Sequence, residues 1–441
     1  MLTDFASTDL TSGFARLDYT SMRSVLCAVS GGSDSTALLL LTHHYLRSYA
    51  PGVELRAATI DHGLRPESAA EAAGVAALCA KLGIPHVTKR WCGPARSTGL
   101  QARARDARYS LLAAAAREQG CDAVFVGHTA NDQAETVAMR RMRGGGGGLA
   151  GIPEATLAGR RIWFVRPLLG LERTRLRAWL TSQGVCWFDD PSNQNPGFER
   201  VRVREALGGL RTGELLALAA REAESRRARA LQAALLVARH ARPLAPGLVL
   251  VDRATVEKGG DAVVEALRTI AAAMGGSSHR PPHAHAADPI LRAIARRGRS
   301  TLCGSVIDSR EAGLFLHREY RGGGPVPDHV RPGDIWDGRF LNIGDREIFV
   351  APAGGTLKTS AATGPASRAL RAAAGRCEPQ GQGGDSIEHL QRVAGFWARL
   401  VPDFDLPLAA ALAQLFGNEE LPAPPITIQA RPPAGHNRGY A

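Results

Sequence analysis

Short apolar runs alternate with longer amphipathic stretches through the amino-terminal part of the chain, and this alternation constrains the fold most. The apolar runs are typical of buried strands, and the amphipathic stretches are typical of helices. The predicted strands are residues 24–29, 54–60, 86–91, 123–126 and 162–168. The predicted helices are residues 34–46, 67–82, 101–119, 131–142 and 172–183. Repeated strand–helix units predict an α/β fold with a doubly wound parallel sheet.

A glycine pair directly follows the first predicted strand. The stretch reads Ser30-Gly31-Gly32-Ser33-Asp34-Ser35. Adjacent glycines let backbone amides approach an anion, and the helix that follows directs its positive end to the same place. The stretch has neither the Gly-Lys-Ser/Thr element of a Walker A loop nor the glycine spacing of a dinucleotide-binding loop. It predicts a phosphate cradle without a lysine, with a serine–aspartate helix cap as the alternative.

Further polar residues follow other predicted strands, where doubly wound sheets bind their ligands. These residues are Asp61, His62, His128 and Asp132. A carboxylate beside phosphates can bind Mg²⁺, so Asp34 and Asp132 are the predicted metal ligands. His128 would donate to a phosphate oxygen or relay a proton. The structural alternatives are a turn at Asp61, a buried core histidine at position 128 and first-turn helix acids at Asp132 and Glu135.

Arginine supplies nearly all of the positive charge. The chain has 54 Lys and Arg against 42 Asp and Glu, a net charge of +12, and only four of these residues are lysine. The surplus fits a polyanionic partner such as RNA, although a GC-rich genome would give the same arginine bias. One face of the third predicted helix carries Arg105, Arg108 and Tyr109. These arginines would contact phosphate or an RNA backbone, with a solvated face as the alternative.

The character of the chain changes after the strand–helix repeats. Residues 198–239 are helical and rich in arginine, 261–274 predict another helix, and 302–317 predict a β-hairpin. A Gly/Pro stretch at 322–327 predicts a linker. We therefore predict three domains, which are residues 1–205, a mainly helical middle domain at 206–321 and a small α+β domain at 322–441. A flexible segment is expected at 352–386 because Ala, Gly and Ser dominate there.

The cysteines and the apolar runs argue against several classes of protein. Seven cysteines are scattered without a C-x-x-C pair, which disfavours a disulfide framework, a zinc ribbon or a local iron–sulfur site. No apolar run approaches the ~18–20 residues of a membrane span, and the N-terminus lacks the pattern of a secretory signal. A reducing cytoplasm is therefore the expected compartment. His279, His283 and His285 form either a metal site or a solvated loop.

The phosphate cradle and six other segments resemble a known family. The cradle is similar to the Ser-Gly-Gly-x-Asp-Ser pyrophosphate loop of the N-type ATP pyrophosphatases, also called PP-loop enzymes. Taken in order, the other segments resemble those of the tRNA(Ile)-lysidine synthetases. They are residues 61–65, 104–109, 127–136, 143–144, 166–169 and 190–193. A later cluster at 331–340 is similar to a C-terminal element of the same family.

The resemblance implies a ligase that uses ATP and Mg²⁺. Such an enzyme joins free L-lysine to C2 of the wobble cytidine in the CAU anticodon of isoleucine tRNA, through an adenylated cytidine, and releases AMP and pyrophosphate. The cradle would bind ATP, and the middle and C-terminal domains would bind the tRNA. The catalytic residues that it implies are Asp34, Asp61, His62, His128 and Asp132. The substrate or tRNA contacts that it implies are Arg105, Arg108, Arg143, Arg202 and Arg204.

Several alternatives and departures stay open at this point. The alternatives are a PP-loop tRNA thiolase, a PP-loop enzyme of small-metabolite synthesis and a non-catalytic RNA-binding relative. The oligomeric state, a homodimer included, is equally open, as is the group that deprotonates the lysine amine. Four positions depart from the family pattern, which has more polar or charged residues there. They are Gln101, Thr129, Asn131 and Val201.

Overall fold

The computed structural model describes residues 9–63, 67–91, 100–189, 199–207, 212–322, 324–354, 365–381 and 385–426. The chain forms two compact units. The first comprises residues 1–144, 151–219 and 423–441, and the second comprises 145–150 and 220–422. The domain boundaries at 205/206 and 321/322 stay predictions. The family segment at 190–193 and much of the predicted flexible segment at 352–386 lie outside the described residues.

Six strands of the first unit form the predicted parallel sheet. They are β1 Ser24–Ala28, β2 Glu54–Asp61, β3 His86–Arg90, β4 Ala123–Val126, β5 Ala155–Ala158 and β6 Ile162–Val165. Their order is β5-β6-β4-β1-β2-β3, and every neighbouring pair is parallel except β5 and β6. The strand β5 is an addition to the predicted set. It pairs with β6 across residues 159–161, a tight turn in which Gly159 and Arg160 both have positive φ.

Helices connect these strands where the periodicity predicted them, with ends shifted by three residues at most. They are α1 Ser33–Tyr49, α2 Ser68–Leu82, α3 Leu100–Glu118, α4 Ala130–Met142 and α5 Arg173–Ser182. A further helix, α6 Glu199–Leu207, lies within the stretch 198–239 that was predicted to be helical throughout. The sheet centre is apolar because β1 and β4 are buried along their whole length. The four leucines at 38–41 pack α1 into this core. The next helix, α7 Thr212–His240, begins in the first unit and continues into the second.

The second unit contains a five-stranded antiparallel sheet beside its helices. Its strands are β7 Ala241–Ala245, β8 Leu248–Asp252, β9 Arg299–Leu302, β10 Ser305–Arg310 and β11 Gly313–Arg318, in the order β7-β8-β11-β10-β9. The helices between β8 and β9 are α8 Arg253–Lys258, α9 Asp261–Met274 and α10 His283–Arg296. The predicted hairpin is confirmed as β10 and β11. The stretch that was predicted to be mainly helical therefore also carries a sheet.

The remainder of the second unit is the α+β part that the sequence predicts. Its strands are β12 Asp328–Val330, β13 Ile335–Trp336, β14 Phe340–Asn342, β15 Ile348–Pro352, β16 Pro379–Gly381, β17 Leu390–Arg392 and β18 Leu400–Pro402. Its helices are α11 Arg368–Gly375, α12 Gly395–Ala398 and α13 Leu406–Leu415. Val330, Trp336, Phe340, Ile348 and Val350 form a small core there. In the described part of the chain, no helix is both long and apolar enough to cross a membrane.

Candidate active site

The candidate site lies where the strand order of the first unit reverses. β1 is followed by β2 on one side, whereas β4 lies on its other side, and ligands of doubly wound sheets bind at such a switch point. The loop after β1 leads into α1, and the loop after β4 leads into α4. At the end of β4, a Cβ on Gly127 would lie 3.0 Å from the carbonyl oxygen of Asp34. Glycine at position 127 therefore lets the two loops approach closely.

Residues 30–35 form a closed turn at the start of α1. Gly31 has a φ of +86°, which glycine adopts without strain. The amide of Ser30 donates to the hydroxyl of Ser35 over 3.1 Å, and that hydroxyl donates to the Gly32 carbonyl over 3.0 Å. The amide of Thr36 donates to the Gly32 carbonyl, so the amides of Ser33, Asp34 and Ser35 are the helix N-terminal donors that have no partner within the helix. This arrangement can present backbone amides to an anion, and the lysine-free phosphate cradle stays a prediction.

Asp34, in the first turn of α1, is bound to an arginine from α5. Its Oδ2 accepts from Nε of Arg173 over 2.8 Å, and its Oδ1 accepts from the Ser33 hydroxyl over 3.2 Å. Burial raises the pKa of Asp34, and the charge of Arg173 opposes that rise. Burial alone would lower the pKa of Arg173, but the carboxylates of Asp34 and Asp132 raise it. Arg173 is therefore a permanent positive charge beside the cradle.

Asp132, in the first turn of α4, is saturated with hydrogen-bond donors. Its Oδ2 accepts from the amide and the hydroxyl of Thr129, which forms a capping box. Its Oδ1 accepts from Arg173 over 3.2 Å and from Arg200 over 2.8 Å. Burial alone would raise the pKa of Asp132, but the charges of Arg200 and Arg173 lower it. Asp132 therefore both caps α4 and belongs to a cluster of paired carboxylates and arginines.

Glu135 lies one turn further along α4 and holds two arginines of α6. Its carboxylate is 2% exposed and accepts from Nε of Arg200 over 2.6 Å and from Nε of Arg204 over 2.7 Å. Arg143, at the end of α4, pairs with Glu199 on the surface. Carboxylates and guanidinium groups thus alternate from Asp34 to Arg204. Of the arginines that were predicted to bind tRNA, Arg204 belongs to this cluster, whereas Arg202 is exposed.

Two histidines and Arg108 share one electrostatic neighbourhood. Burial lowers the pKa of His62 and, more strongly, that of His128, and the charge of Arg108 acts on both in the same direction. The Nδ1 atoms of both histidines are buried and have no hydrogen-bond partner among the described residues. Both rings are therefore neutral near pH 7.

Asp61 has the geometry of a turn residue. Its Oδ1 accepts from the Gly63 amide over 2.8 Å and from the Ser68 hydroxyl over 2.7 Å. These two hydrogen bonds lower the pKa of Asp61. Within the described ranges, no hydrogen bond joins Asp61 to Asp34 or to Asp132. The structure therefore supports the turn interpretation of this residue, at the end of the strand next to β1.

The face of α3 that was predicted from the sequence contacts a buried arginine. The guanidinium carbon of Arg105 lies 5.7 Å from the centre of the Tyr109 ring. The Tyr109 hydroxyl accepts from Arg166 over 3.0 Å, and Arg166 also donates to the hydroxyl of Thr156. Burial alone would raise the pKa of Tyr109, but Arg166 and Arg105 lower it. Arg105 is thus an exposed cation that rests on a fixed aromatic ring.

Sequence reasoning missed the arginines of α5 and Arg200. Arg173 and Arg177 are one helical turn apart, so both face the loop after β1. Two arginines four residues apart, at the start of a helix that follows a strand-end loop, were the signal that could have revealed them. The side chain of Asn131 accepts from the backbone amide of Arg173 over 2.8 Å and so fixes the start of α5. The side chains of Gln101 and Val201 lie outside the described residues.

The predicted metal ligands converge on Arg173. In the described residues, no group of three or more His, Cys, Asp or Glu side chains could hold a metal ion. Both oxygens of Asp132 are occupied by donors, so this carboxylate does not fit a Mg²⁺ ion in the arrangement described. Asp34 has one oxygen that is bound only by the rotatable hydroxyl of Ser33. The residues present therefore fit Mg²⁺ at Asp34 alone.

One family model and several known proteins are similar to this chain. A family model described as a PP-loop domain matches residues 7–210. A protein of Mesorhizobium japonicum is 42% identical over 94% of this chain and 96% of its own length. One of Rhizobium meliloti is 39% identical over 95% and 97%, and one of Bartonella quintana is 34% identical over 77% and 80%. All three relatives are named tRNA(Ile)-lysidine synthase.

Proposed function

This chain belongs to the tRNA(Ile)-lysidine synthase family, and on that premise we propose that it converts the wobble cytidine of an isoleucine tRNA to lysidine. The reaction joins free L-lysine to C2 of the cytidine in the CAU anticodon and converts ATP to AMP and pyrophosphate. The observation that carries the proposal is the lysine-free cradle at residues 30–35, placed at the switch point of a sheet in a chain with full-length relatives of this name. The cytoplasm, where tRNA and ATP are found, is the compartment that we propose.

The first step is the transfer of an adenylyl group to the cytidine. The C2 oxygen attacks the α-phosphorus of ATP, and the bond to the pyrophosphate oxygen breaks. The amides at the start of α1 would bind the phosphates and stabilise the charge that develops on the leaving group. When bound, Mg²⁺ would offset part of the same charge, and Asp34 is the residue that would hold it. Positioning and charge stabilisation suffice for this step, because no covalent protein intermediate forms.

The second step is the attack of the lysine amine on C2, which displaces AMP. The amine must be neutral, although the reference pKa of lysine is ~10.4, so a base is required. His62 and His128 are neutral near pH 7 because burial lowers their pKa values. Each has a buried Nδ1 atom without a partner in the described part of the chain. We therefore propose that one of these two histidines accepts the proton of the amine.

The thiolase alternative needs a reactive pair of cysteines. Burial raises the pKa of the Cys27 thiol to about 12 and that of Cys79 to about 11. Neither is a thiolate near neutral pH, and the thiolate is the nucleophile. The scattered cysteines therefore favour lysidine formation over sulfur insertion.

The decisive experiment supplies the protein with ATP, Mg²⁺, labelled lysine and an isoleucine tRNA transcript that has a CAU anticodon. Label should enter the RNA, with one AMP released for each lysine incorporated. A transcript with the wobble cytidine replaced by uridine should remain unlabelled. AMP release without labelled RNA, or labelling of both transcripts alike, would contradict the proposal.

A further inference from the structure

The phosphate cradle has no lysine, but α5 presents two arginines to it. Arg173 and Arg177 lie one helical turn apart on the side of α5 that packs against α1. Arg173 contacts Asp34, and Arg177 contacts Ser33. Two neighbouring residues of the cradle are thus bound by two neighbouring arginines of a single helix.

Arg173 is held in a position from which it can change partners. It donates once to Asp34 through Nε and once to Asp132 through Nη2. Its Nη1 makes no hydrogen bond to any described residue, and its side chain is 20% exposed. The guanidinium therefore keeps donors that a further anion can use.

Arg177 lies one turn further along α5 and contacts a second residue of the cradle. Its Nε donates to the Ser33 hydroxyl over 3.2 Å, and its Nη2 donates to Asp189 over 2.8 Å. Next to Asp189, the backbone amide of Phe188 donates to the Gly31 carbonyl over 2.9 Å. Arg177 is thus fixed between the cradle and the segment that covers it.

We propose that Arg173 and Arg177 supply the positive charge that a loop lysine gives to other phosphate sites, by binding phosphate oxygens of the triphosphate. This inference rests on the proposed function, since it takes ATP as the ligand. Guanidinium groups bind phosphate through two parallel hydrogen bonds, and such charge-assisted bonds are among the strongest in proteins.

Charge balance gives the physical reason why Arg173 would leave its carboxylate partners and bind phosphate. Asp34 and Asp132 already place two negative charges at this edge of the sheet, and Arg173 lies between them. A triphosphate adds several more negative charges, so the guanidinium is drawn toward it as it binds. Arg173 therefore stabilises the two carboxylates before ATP binds and the triphosphate afterwards.

The test compares the affinity for α,β-methylene-ATP, which this chemistry does not cleave, with the affinity for AMP. Titration calorimetry would be run on wild type, Arg173→Gln, Arg177→Gln, Arg173→Lys and a control, Arg175→Gln. Arg175 lies on the same helix, but its partner is the exposed Asp9. Measurements with EDTA and with Mg²⁺ separate the role of the arginines from that of the ion.

In EDTA, each glutamine variant should weaken binding of the triphosphate analogue by about tenfold and binding of AMP by less than about threefold. Arg173→Lys should restore part of the loss, and Arg175→Gln should bind both ligands as wild type does. A purely structural role would weaken both ligands equally, which would overturn the inference. If Arg173→Gln does not fold, Arg177→Gln carries the test, because its side chain is 43% exposed.

The outcome is independent of the lysidine assay. A wild-type protein that forms lysidine, with arginine variants that keep the wild-type preference for triphosphate over AMP, would refute this inference alone. Variants that lose the preference, in a protein that forms no lysidine, would refute the proposed function alone.

Discussion

Asp34 is the residue on which we propose that phosphate chemistry depends most directly. Its carboxylate is bound by Arg173 and by Ser33, at the point where the amides of α1 begin. We expect Asp34→Ala to abolish AMP formation, because the residue that organises the cradle is lost. Affinity for tRNA should change by less than about twofold, since the predicted tRNA contacts are arginines elsewhere. Thin-layer analysis of AMP and filter binding of tRNA measure the two effects, and unchanged AMP release would remove Asp34 from the site.

His128 gives the stability of the protein a specific pH dependence. Burial, followed by the charge of Arg166, lowers its folded-state pKa below the ordinary value of 6.5. At a pH between the folded-state pKa and 6.5, the unfolded chain binds a proton at this histidine more readily than the folded chain does. This histidine therefore reduces the free energy of unfolding progressively as the pH falls below 6.5.

The variant His128→Gln should remove that contribution. We expect the difference in unfolding free energy between about pH 7.5 and about pH 5.5 to be smaller in this variant than in wild type, as measured by urea denaturation. His285→Gln is the matched control, because that side chain is exposed. Equal pH dependence in wild type and in His128→Gln would show that position 128 is not the group responsible.

Single residues could be predicted from the sequence only where their position along the chain was the signal. Asp34 and Asp132 were found because each follows a strand. Their partner Arg173 was missed, since 139 positions separate it from Asp34 and 41 from Asp132. A pairing over such a distance depends on how helices pack, which no local pattern encodes. Asp132 was therefore predicted as a metal ligand, although the fold surrounds it with donors.

At the scale of elements, the turn between β1 and α1 depends on one glycine. A Cβ on Gly31 would lie 2.9 Å from a ring carbon of Phe188, and its φ of +86° disfavours any other residue. Gly31→Ala should lower the free energy of unfolding by about 2 kcal/mol and weaken ATP binding. Gly32→Ala is the matched control, since its φ is −72° and its Cβ would lie 3.8 Å from the nearest atom. Urea denaturation of both variants tests this, and equal losses would contradict it.

A buried ion network holds together the C-terminal cluster that the sequence singled out. Arg339 is 0% exposed and donates to Asp337 over 2.6 Å, to Glu378 over 3.2 Å and to the carbonyl of Cys377. Arg339→Met should lower the free energy of unfolding by about 3 kcal/mol, because it leaves the buried carboxylate of Glu378 and the largely covered carboxylate of Asp337 with fewer partners. Arg331→Met breaks an exposed pair with Glu347 and should cost less than about 1 kcal/mol. Chemical denaturation distinguishes the two, and a small loss at position 339 would refute the structural role.

Elements were predictable where their apolar pattern was strong. The helices of the first unit follow from their helical period, and β1, β4 and β6 follow from short apolar runs, because these strands are buried along their whole length. β5 was missed because its four residues, Ala-Thr-Leu-Ala, are less apolar than the four residues of β4 or of β6. β7 was missed because it is an edge strand that contains Pro243 and has no fully buried residue. Short edge strands form through their neighbours and carry little signal of their own.

The charge of the whole molecule is less available to RNA than its composition indicates. The net charge of +12 includes many arginines that the fold already neutralises. Arg226 and Arg227 of α7 bind Asp405 and Asp403, whose carboxylates are buried. Arg200 and Arg204 of α6 bind buried acids as well. A count of arginines in residues 198–239 therefore overstates the number of phosphate contacts.

Exposed arginines without acidic partners should carry the salt dependence of tRNA binding. Arg221 and Arg239 are exposed and make no ion pair with any described residue. Each phosphate contact releases counterions, so affinity should fall steeply with salt, and each of Arg221→Gln and Arg239→Gln should reduce the logarithmic slope by ~1. Arg227→Gln removes the same formal charge, but Asp403 neutralises it in wild type, so the slope should change by less than half as much. Filter binding at several salt concentrations measures these slopes. A flat dependence in wild type, or equal changes in all three variants, would contradict backbone binding by this helix.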